Sequence, residues 1–534
     1  MVDTFVAAFF QLVDEPSHLV FLFTGVMLGL VVGILPGLGG IPGLSVLLPF
    51  VFGLDPTDAL AMMIGLIAPL ATSDTFASVL MGIPGTANSQ ATVVDGFPMA
   101  KKGEGARALG AAFTASMFGG LFGAVVLTAA IFAARPIILA MGFGEQLLLV
   151  ILALSMIGML TGTSALKGLA TSCVGLLLGS IGTAPATGEF RLVFDSVYLS
   201  DGIPIVIVGL GMFAMPEIID LLRRSSRISQ TAQLGHGWIE GFKDVLRHRW
   251  IVLRCSVIGC IIGALPGLGG SVVDWIAYGH VIQTTKNRER YGTRDVRGVL
   301  APESANNAKE GGALIPTLLF GIPGSGSMAI LLGGFILIGI EPGVTMLTQH
   351  LDLTFVMIWS LAIGNVLATA LCLLLANHIA KLTTIRYAYL APFMLVLIFF
   401  AAFQATREWA DLFALFAMGT LGMFMKRFGW SRPALLIGYF LAPRLEPKVE
   451  YSDYHYLSWV LGMFALAGLV GFPFGCAAFI YLFIQNKVES APVKHAIMGI
   501  SGVAFLGVMS YFLTLRYPAG LLQQLIDMPW WLGG

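Results

Sequence analysis

The chain has 534 residues, of which 57% are hydrophobic and only 11% are charged, and its mean hydropathy is +0.86. That much apolar surface cannot be hidden inside a water-soluble core, so the composition excludes an ordinary soluble protein and predicts a chain embedded in a lipid bilayer. The formal net charge is zero, so the overall charge balance says nothing about acidic or nucleic-acid partners. We expect no nucleic-acid partner for a chain embedded in the bilayer.

Apolar stretches that are long enough, or nearly long enough, to span a bilayer recur along the whole chain. In chain order they are Leu19 to Leu35, Ala108 to Ala134, Leu147 to Thr163, Ile203 to Met215, Ile251 to Leu265, Leu353 to Ala376, Tyr387 to Phe403, Leu412 to Met425, Leu457 to Phe479 and Ile497 to Phe512. The sequence therefore predicts an all-α, polytopic helical membrane protein with roughly ten to fourteen membrane segments. The range reflects short, interrupted stretches that either cross the membrane or turn back.

Processing signals and metal-binding patterns are weak in this sequence. No basic residue precedes the first short apolar stretch, so we expect the N-terminus to be retained rather than cleaved as a signal peptide. The five cysteines lie inside apolar segments without CxxC spacing or clustered histidines, which predicts buried free thiols and no metal site. They are Cys173, Cys255, Cys260, Cys372 and Cys476.

Two glycine- and proline-rich motifs occur twice. GILPGLGG occupies residues 33–40, and GALPGLGG occupies residues 263–270. The second motif begins 230 positions after the first. GIPGT at 82–86 is matched by GIPGS at 321–325, after 239 positions. Two motif pairs in the same order at nearly constant spacing indicate two homologous halves.

Flanking charges predict the orientation of each half. The flanks of the first octapeptide carry acids and no Lys or Arg before Lys101, whereas basic residues flank the second octapeptide at 222–254 and 286–297. Further on, the basic KKGEGAR at 101–107 corresponds to the acidic IEPG at 340–343. Because cytoplasmic loops are enriched in Lys and Arg, the two repeats are predicted to be inverted in the membrane, with each octapeptide at the tip or break of a re-entrant helix.

The predicted organisation has three parts. A first transmembrane repeat covers residues 1–221, and a cytoplasmic basic linker covers 222–249. A second transmembrane repeat with additional C-terminal helices covers 250–534.

The PGLGG loops have a structural and a functional interpretation. Small residues let membrane helices pack closely, which explains isolated glycines elsewhere in the chain. A proline followed by three glycines in four positions instead breaks a helix, and freed backbone groups at membrane depth are tolerated only beside protein or a water-filled cavity. We therefore favour a functional loop.

The paired loops contain no charged residue, so an anion there would meet backbone N–H groups, hydroxyls and the positive ends of restarting helices. Ser271 is expected either to cap the helix that follows the second octapeptide or to face a ligand. Neutral hydrogen-bonding side chains follow both GIPG motifs at corresponding places, and they are Thr86, Asn88, Ser89, Ser325 and Ser327.

Coupling-ion sites are predicted in two regions. In APESANNAKEGG, 301–312, the oxygens of Ser304, Asn306 and Asn307 suit Na⁺, and the alternative is an ordinary cytoplasmic loop in which the charged residues are solvated. Asp74 and Asp274 are acids within or beside apolar segments. Such acids predict a cation or proton site, although the short segment around Asp74 also allows a position near the membrane interface.

Other polar features carry less weight. Asn365, Asn377 and Gln404 are expected to form hydrogen bonds between helices. PGSGS at 323–327 lacks a histidine partner for a serine hydrolase, and no GxxxxGK[ST] loop is present. We therefore do not expect an enzyme.

These motifs, together with VVDGFPMAKKGEGARALG at 93–110 and APESANNA at 301–308, resemble the large permease subunit (TctA type) of the tripartite tricarboxylate transporter family. The resemblance covers nearly the whole chain. It implies a multi-pass permease of the bacterial inner membrane that works with a small four-helix membrane subunit and a periplasmic solute-binding protein. It also implies uptake of carboxylates such as citrate, driven by an ion gradient rather than by ATP.

The resemblance further implies that glycines of the paired loops line the substrate and ion path. These residues, with two adjoining hydroxyl side chains, are Gly37, Gly39, Gly40, Gly85, Thr86, Gly267, Gly269, Gly270, Gly324 and Ser325. Where a YGGS-like stretch is expected, this chain has TSDTFAS, which leaves the substrate and the coupling ion, Na⁺ or H⁺, open. No cofactor is expected.

The resulting hypothesis is secondary active uptake of di- or tricarboxylates, delivered by the binding protein and coupled to Na⁺ or H⁺. One alternative is an organic-anion channel or exchanger that needs no partner. Another is a membrane scaffold or receptor whose polar loops bind protein, which the duplicated PGLGG loops disfavour.

Substitution within the octapeptides tests their role. Gly39→Leu and Gly269→Leu should insert into the membrane normally yet lose transport, because a bulky side chain fills a loop that must come close to the cargo. Uptake and membrane insertion are measured in parallel. Normal uptake by both variants would remove these loops from the mechanism.

Overall fold

The computed structural model describes residues 1–35, 39–86, 88–139, 143–160, 165–185, 187–223, 234–266, 270–382, 387–450, 478 and 500. Regular structure in these residues is almost entirely helical, as the sequence predicts. The helices of the first part of the chain are α1 Val2–Asp14, α2 Pro16–Ile34, α3 Gly40–Val51, α4 Pro56–Ser73, α5 Gln90–Lys101, α6 Gly105–Leu139, α7 Phe143–Leu160, α8 Ala165–Gly179, α9 Val197–Ser200, α10 Ile205–Gly209 and α11 Met215–Arg223.

The helices of the second part of the chain also include both short and long ones. They are α12 Trp238–Arg247, α13 Arg249–Gly263, α14 Gly270–Thr284, α15 Arg297–Phe320, α16 Gly326–Leu337, α17 Val344–Thr348, α18 Leu351–Leu382, α19 Tyr387–Thr406, α20 Trp409–Arg427 and α21 Arg432–Glu450. Two π-helical turns, Ala77–Met81 and Leu210–Ala214, and a 3₁₀ turn, Arg288–Arg290, complete the helical structure. Strands β1 Gly182–Thr183 and β2 Phe190–Arg191 form a small antiparallel pair.

Four described helical segments are long and apolar enough to cross a membrane. They are Pro16–Ile34, Pro56–Met81, Gly105–Pro136 and Leu351–Ala380. Helices α3, α5 and α16 have 12 residues each. At 1.5 Å per residue such a helix rises about 18 Å, which falls short of a hydrocarbon core about 30 Å thick.

Both octapeptides lie where one helix ends and another begins. The first interrupts the chain between α2 and α3, and the second lies between α13 and α14. Gly39 precedes α3 with φ +62°, a left-handed conformation that favours glycine. The short helices that follow are therefore separate elements rather than continuations of α2 and α13.

The two halves repeat the same close helix contacts. A Cβ built on Gly29 of α2 would lie 2.2 Å from the carbonyl oxygen of Leu66 in α4, and one built on Gly259 of α13 would lie 2.2 Å from that of Ala305 in α15. Each pair of backbones touches because glycine leaves no side chain between them.

The GIPG motifs also repeat in detail. Gly82 and Gly321 both have positive φ, at +69° and +65°. A Cβ on Gly85 would lie 2.3 Å from the carbonyl oxygen of Asp74, and one on Gly324 would lie 2.7 Å from that of Ala313. Each motif therefore folds back against the end of the helix that precedes it.

The halves interlock. Helix α3 of the first half packs on α16 of the second, and α14 of the second packs on α5 of the first. In the same way α6 packs on α15, and α18 packs on α4. Inversion of the halves in the membrane and the predicted boundaries at 1–221, 222–249 and 250–534 remain predictions.

The segment 301–312 is not a cytoplasmic loop, because it lies inside α15. Glu303, Lys309 and Glu310 are not solvated either, with exposed fractions of 1%, 3% and 7%. The Lys309 ammonium lies 2.6 Å from the Glu310 carboxylate, so these two charges compensate each other within the protein. Glycine-rich faces of α6 and α13 cover the helix, which buries its polar residues.

The cysteines follow the sequence prediction with one exception. Cys255, Cys260 and Cys372 are buried free thiols. Cys173 is a free thiol but is exposed, so the prediction of burial is wrong there. Cys476 lies outside the described residues.

The glycine contact between α2 and α4 can be tested by stability. Gly29→Ala should destabilise the fold by about 1–3 kcal/mol, because its methyl group would overlap the Leu66 carbonyl and push the helices apart. Gly279→Ala in α14 is the matched control, since nothing lies within 4 Å of a Cβ there. The thermal unfolding midpoint of the detergent-solubilised chain is the measurement, and equal midpoints for the two variants would contradict the close approach.

Candidate functional site

Asp74 lies where α4 gives way to a π-helical turn, and its side chain is fully buried. Thr86, from the first GIPG motif, donates its hydroxyl hydrogen to Asp74 Oδ2 at 2.5 Å. The other carboxyl oxygen, Oδ1, has no hydrogen-bond partner among the described residues. The carboxyl therefore retains one free oxygen inside the protein, and whether Asp74 lies deep in the membrane or near its interface stays a prediction.

The GIPGT loop is held by Ser89. Its hydroxyl oxygen accepts hydrogen bonds from the backbone N–H groups of Gly85, at 3.1 Å, and Thr86, at 3.3 Å. The Thr86 hydroxyl oxygen accepts one from the N–H of Asn88 at 3.1 Å. The amides that we expected to meet an anion therefore have partners within the loop, and an incoming anion must displace them or use other groups.

Glu303 is a functional candidate that the sequence analysis missed. Its carboxyl oxygens accept hydrogen bonds from the hydroxyls of Thr75, at 2.8 Å, and Thr92, at 2.6 Å. Thr75 directly follows Asp74, so Glu303 in α15 lies beside the interrupted end of α4. The available signal was an acid directly after the apolar run VLAP, in a short polar stretch bounded by apolar runs, since ionisable groups at membrane depth are functional candidates by default.

Asp274 joins the second half to the first. Its Oδ2 accepts a hydrogen bond from the backbone N–H of Ala91 at 2.8 Å, in the first turn of α5. A carboxylate is favoured there by the partial positive charge of a helix N-terminus. Asp274 is fully buried, and its Oδ1 has no partner among the described residues.

The first octapeptide meets both GIPG motifs. A Cβ built on Gly40 would lie 2.5 Å from the Ser327 hydroxyl oxygen, and one on Gly39 would lie 4.0 Å from the Thr86 methyl carbon. Ser325 caps α16, accepting a hydrogen bond from the N–H of Met328 at 3.4 Å. The structure thus brings Gly39 and Gly40 together with candidates from the other half.

The polar residues of α15 divide into two groups. Asn307 donates to the side-chain oxygen of Asn365 at 2.5 Å and to the backbone of Ser116 at 2.9 Å, so it ties α15 to α18 and α6. The expected helix-to-helix role of Asn365 is confirmed by this contact. Ser304 donates to the carbonyl of Ala301 in its own helix. Asn306 is 1% exposed, and neither its amide oxygen nor its nitrogen has a partner in the described part of the chain.

Several predicted residues have no described side-chain environment. Gly37, Gly267 and Gly269 lie outside the described residues. Gly270 and Ser271 fall in the first turn of α14. Gly324, in contrast, has described surroundings, and it donates its N–H to the Thr317 hydroxyl at 3.2 Å.

The electrostatic character of this region is acidic. Among the described residues, no Lys, Arg or His forms an ion pair with Asp74, Asp274 or Glu303, and Lys309 is already paired with Glu310. Hydroxyl groups and free carboxyl oxygens surround the interrupted end of α4 instead. Such a set can bind a monovalent cation or protons, and an anion can approach it only when the acidic charge is compensated. No group of three His, Cys, Asp or Glu suited to a resident metal occurs in the described residues.

Known proteins resemble the chain over most of its length. Residues 19–437 match the model of the tripartite tricarboxylate transporter TctA family. An uncharacterized 52.8 kDa protein in the TAR-I ttuC' 3' region of Agrobacterium vitis is 33% identical over 442 residues, covering 83% of this chain and 88% of that protein. A second uncharacterized protein, in the TAR-II ttuC' 3' region of that organism, is 35% identical over 192 residues, 36% of this chain and 79% of that protein. No solved structure was found to match.

The hydroxyl bonds to Glu303 can be tested by removal. Thr92→Val should destabilise the fold by about 1–3 kcal/mol, because it leaves a buried carboxyl oxygen without its donor at nearly unchanged volume. Thr128→Val is the control, since Thr128 only donates to the Ala124 carbonyl of its own helix, and it should change stability by less than about 0.5 kcal/mol. Thermal unfolding of the purified chain is the measurement, and the hydrogen bond is refuted if the two variants unfold alike.

Proposed function

Since this chain belongs to the tripartite tricarboxylate transporter TctA family, we propose that it is the permease for secondary active uptake of di- or tricarboxylates across the bacterial inner membrane. A periplasmic solute-binding protein delivers the cargo, and a small four-helix membrane subunit completes the complex. The gradient of Na⁺ or H⁺ supplies the driving force. The chain is a transport protein rather than an enzyme.

The observation that carries the coupling proposal is the pair of buried acids at the interrupted end of α4. Asp74 directly precedes Thr75, whose hydroxyl donates to Glu303, and neither acid has a cationic partner among the described residues. A cargo with two or three negative charges is repelled from such a site. Binding of Na⁺ or H⁺ removes the repulsion, so the anion and the coupling ion bind together or not at all.

The cargo is proposed to bind beside these acids, between the first octapeptide and the two GIPG motifs. Gly39 leaves space for close approach of the anion, because only the Thr86 methyl carbon lies near the place of a Cβ there, at 4.0 Å, and the Ser327 hydroxyl lies against Gly40. The Ser327 hydroxyl is a neutral donor that can orient carboxylate oxygens without adding charge to the low-dielectric interior. The Thr86 hydroxyl can donate to the cargo only when it releases Asp74, to which its hydrogen is donated.

Helix α5 is proposed to transmit occupancy between the halves. Its first turn is bound by Asp274 of the second half, and one residue later Thr92 donates to Glu303. A cation at Glu303 changes the hydrogen bond from Thr92. A resulting shift of α5 then moves α14 as well, because Asp274 of α14 bonds to the first turn of α5. The repeated contacts of the two halves support two pseudo-equivalent states for alternating access.

Reconstituted transport tests the proposal. The chain and its small subunit are placed in liposomes with a binding protein loaded with labelled carboxylates, and uptake is measured with and without an imposed Na⁺ or H⁺ gradient. Uptake should need both the binding protein and one of the gradients. Glu303→Gln should raise the coupling-ion concentration for half-maximal uptake by about 10- to 100-fold, the effect typical of losing a supporting group at a cation site.

Glu240→Gln is the matched control, because Glu240 is exposed and pairs only with Lys243 at the surface. It should leave uptake unchanged. Flux that ignores the gradient and the binding protein, with all components folded, would instead indicate a channel. Unchanged ion dependence in Glu303→Gln would remove Glu303 from coupling.

A further inference from the structure

A polar cavity lies apart from the buried acids. It is a cleft of about 660 Å³, which we call the arginine cleft, and twelve residues line it: five arginines, three acids, His248, Asn287, Thr293 and Val296. Three segments build it: the start of α6, the end of α12 with the residue after it, and the loop that leads into α15. All three belong to the basic segments that the sequence predicts on the cytoplasmic side.

Positive charge is in excess in this cleft. Five arginines line it against three acids. Two of the acids are committed to arginines: Asp244 to Arg107 at 2.7 Å, and Asp295 to Arg297 at 2.5 Å. The guanidinium groups of Arg290 and Arg294 form no ion pair or hydrogen bond with any described residue, so they remain available to a ligand.

The loop that carries these two arginines is fixed by a buried carboxylate. Asp95 of α5 is fully buried and accepts hydrogen bonds from the backbone N–H groups of Gly292, Arg294 and Asp295, at 3.1, 2.9 and 2.9 Å. The Tyr278 hydroxyl donates a fourth, at 2.8 Å. The cleft is therefore pre-organised, which lowers the cost of ordering it around a ligand.

The lining points to a water-soluble ligand. Val296 is the single apolar side chain among the twelve residues, so a lipid tail finds no apolar wall. Planar guanidinium groups match carboxylate oxygens in a bidentate manner. Burial and the nearby Arg297 hold the pKa of His248 below its ordinary value, so near neutral pH its imidazole can bond to a ligand without adding charge.

We propose that the arginine cleft binds a soluble multi-carboxylate anion, the cargo after its passage through the membrane. The identity of the anion rests on the proposed function, whereas the anion site itself rests on the cleft. Helix α5 links the two sites, because its Asp95 fixes the cleft loop and its Thr92 donates to Glu303. Occupancy of the cleft and of the buried site therefore acts on one helix.

Local protection from labelling tests the proposal. Thr293 is exposed in the cleft, and Thr293→Cys is introduced into the full-length chain. This chain also carries Cys173→Ser, which removes the exposed thiol among the described cysteines. The rate of reaction with a neutral maleimide is measured in inside-out membrane vesicles with citrate, with inorganic phosphate, or with added cardiolipin. The Cys173→Ser chain without Thr293→Cys gives the background rate.

Citrate should slow the labelling. In the double variant Arg290→Gln, Arg294→Gln the citrate concentration for half-protection should rise about tenfold or more, because two charge-assisted contacts are lost. Arg288→Gln is the matched control, since Arg288 lies on the same turn but bonds to the carbonyl of Gln283 and does not line the cleft. It should leave protection unchanged.

Three results would overturn the proposal. They are no slowing of the labelling by citrate, slowing by citrate that is unchanged in the double variant, and slowing by phosphate or cardiolipin but not by citrate. The transport assay separates this proposal from the previous one. Gradient-driven citrate uptake without protection refutes the cleft alone. Protection without uptake of any carboxylate refutes the transport function and leaves the anion site in place.

Discussion

Every broken helix inside a membrane protein leaves backbone N–H and C=O groups that the bilayer cannot satisfy. This chain meets that constraint with side chains placed next to each break. Ser89 accepts from two amides of the first GIPG loop, Thr317 accepts from the N–H of Gly324, and Asp274 accepts at the start of α5. Asp274 belongs to the second half, and the Ala91 amide that it binds belongs to the first. The bond that satisfies the start of α5 therefore also holds the two halves together. The loops can therefore lie deep in the protein without losing their shape.

The same arrangement explains how buried acids are tolerated. Glu303 and Asp74 are surrounded by hydroxyl donors, which partly replace water, yet no arginine or lysine among the described residues neutralises them. In the proposed function, a cation or proton that can leave again stabilises this site. A permanent ion pair, such as that of Lys309 with Glu310 one to two turns away, could not serve this purpose.

Helix α5 contacts each of these features. It is only 12 residues long, but it bonds to Asp274 at its start, to Glu303 through Thr92, and to the cleft loop through Asp95. Short helices held mainly by polar contacts can shift with less loss of apolar packing than long membrane-spanning helices. Because α3 packs on α16 and α14 packs on α5, a shift of this kind would involve elements of both halves.

The sequence by itself determined the helical membrane class, the positions of the helix breaks and the family. Apolar length, PGLGG and GIPG are local features, and a membrane helix satisfies its own backbone hydrogen bonds, so local pattern was sufficient. It also identified Asp74 and Asp274. Only the tertiary structure decided that 301–312 is a buried helix and that Glu303 bonds to Thr75 and Thr92 beside the end of α4. Its bonds join residues 228 and 211 positions apart, and its burial comes from glycine faces on other helices, which no local pattern contains.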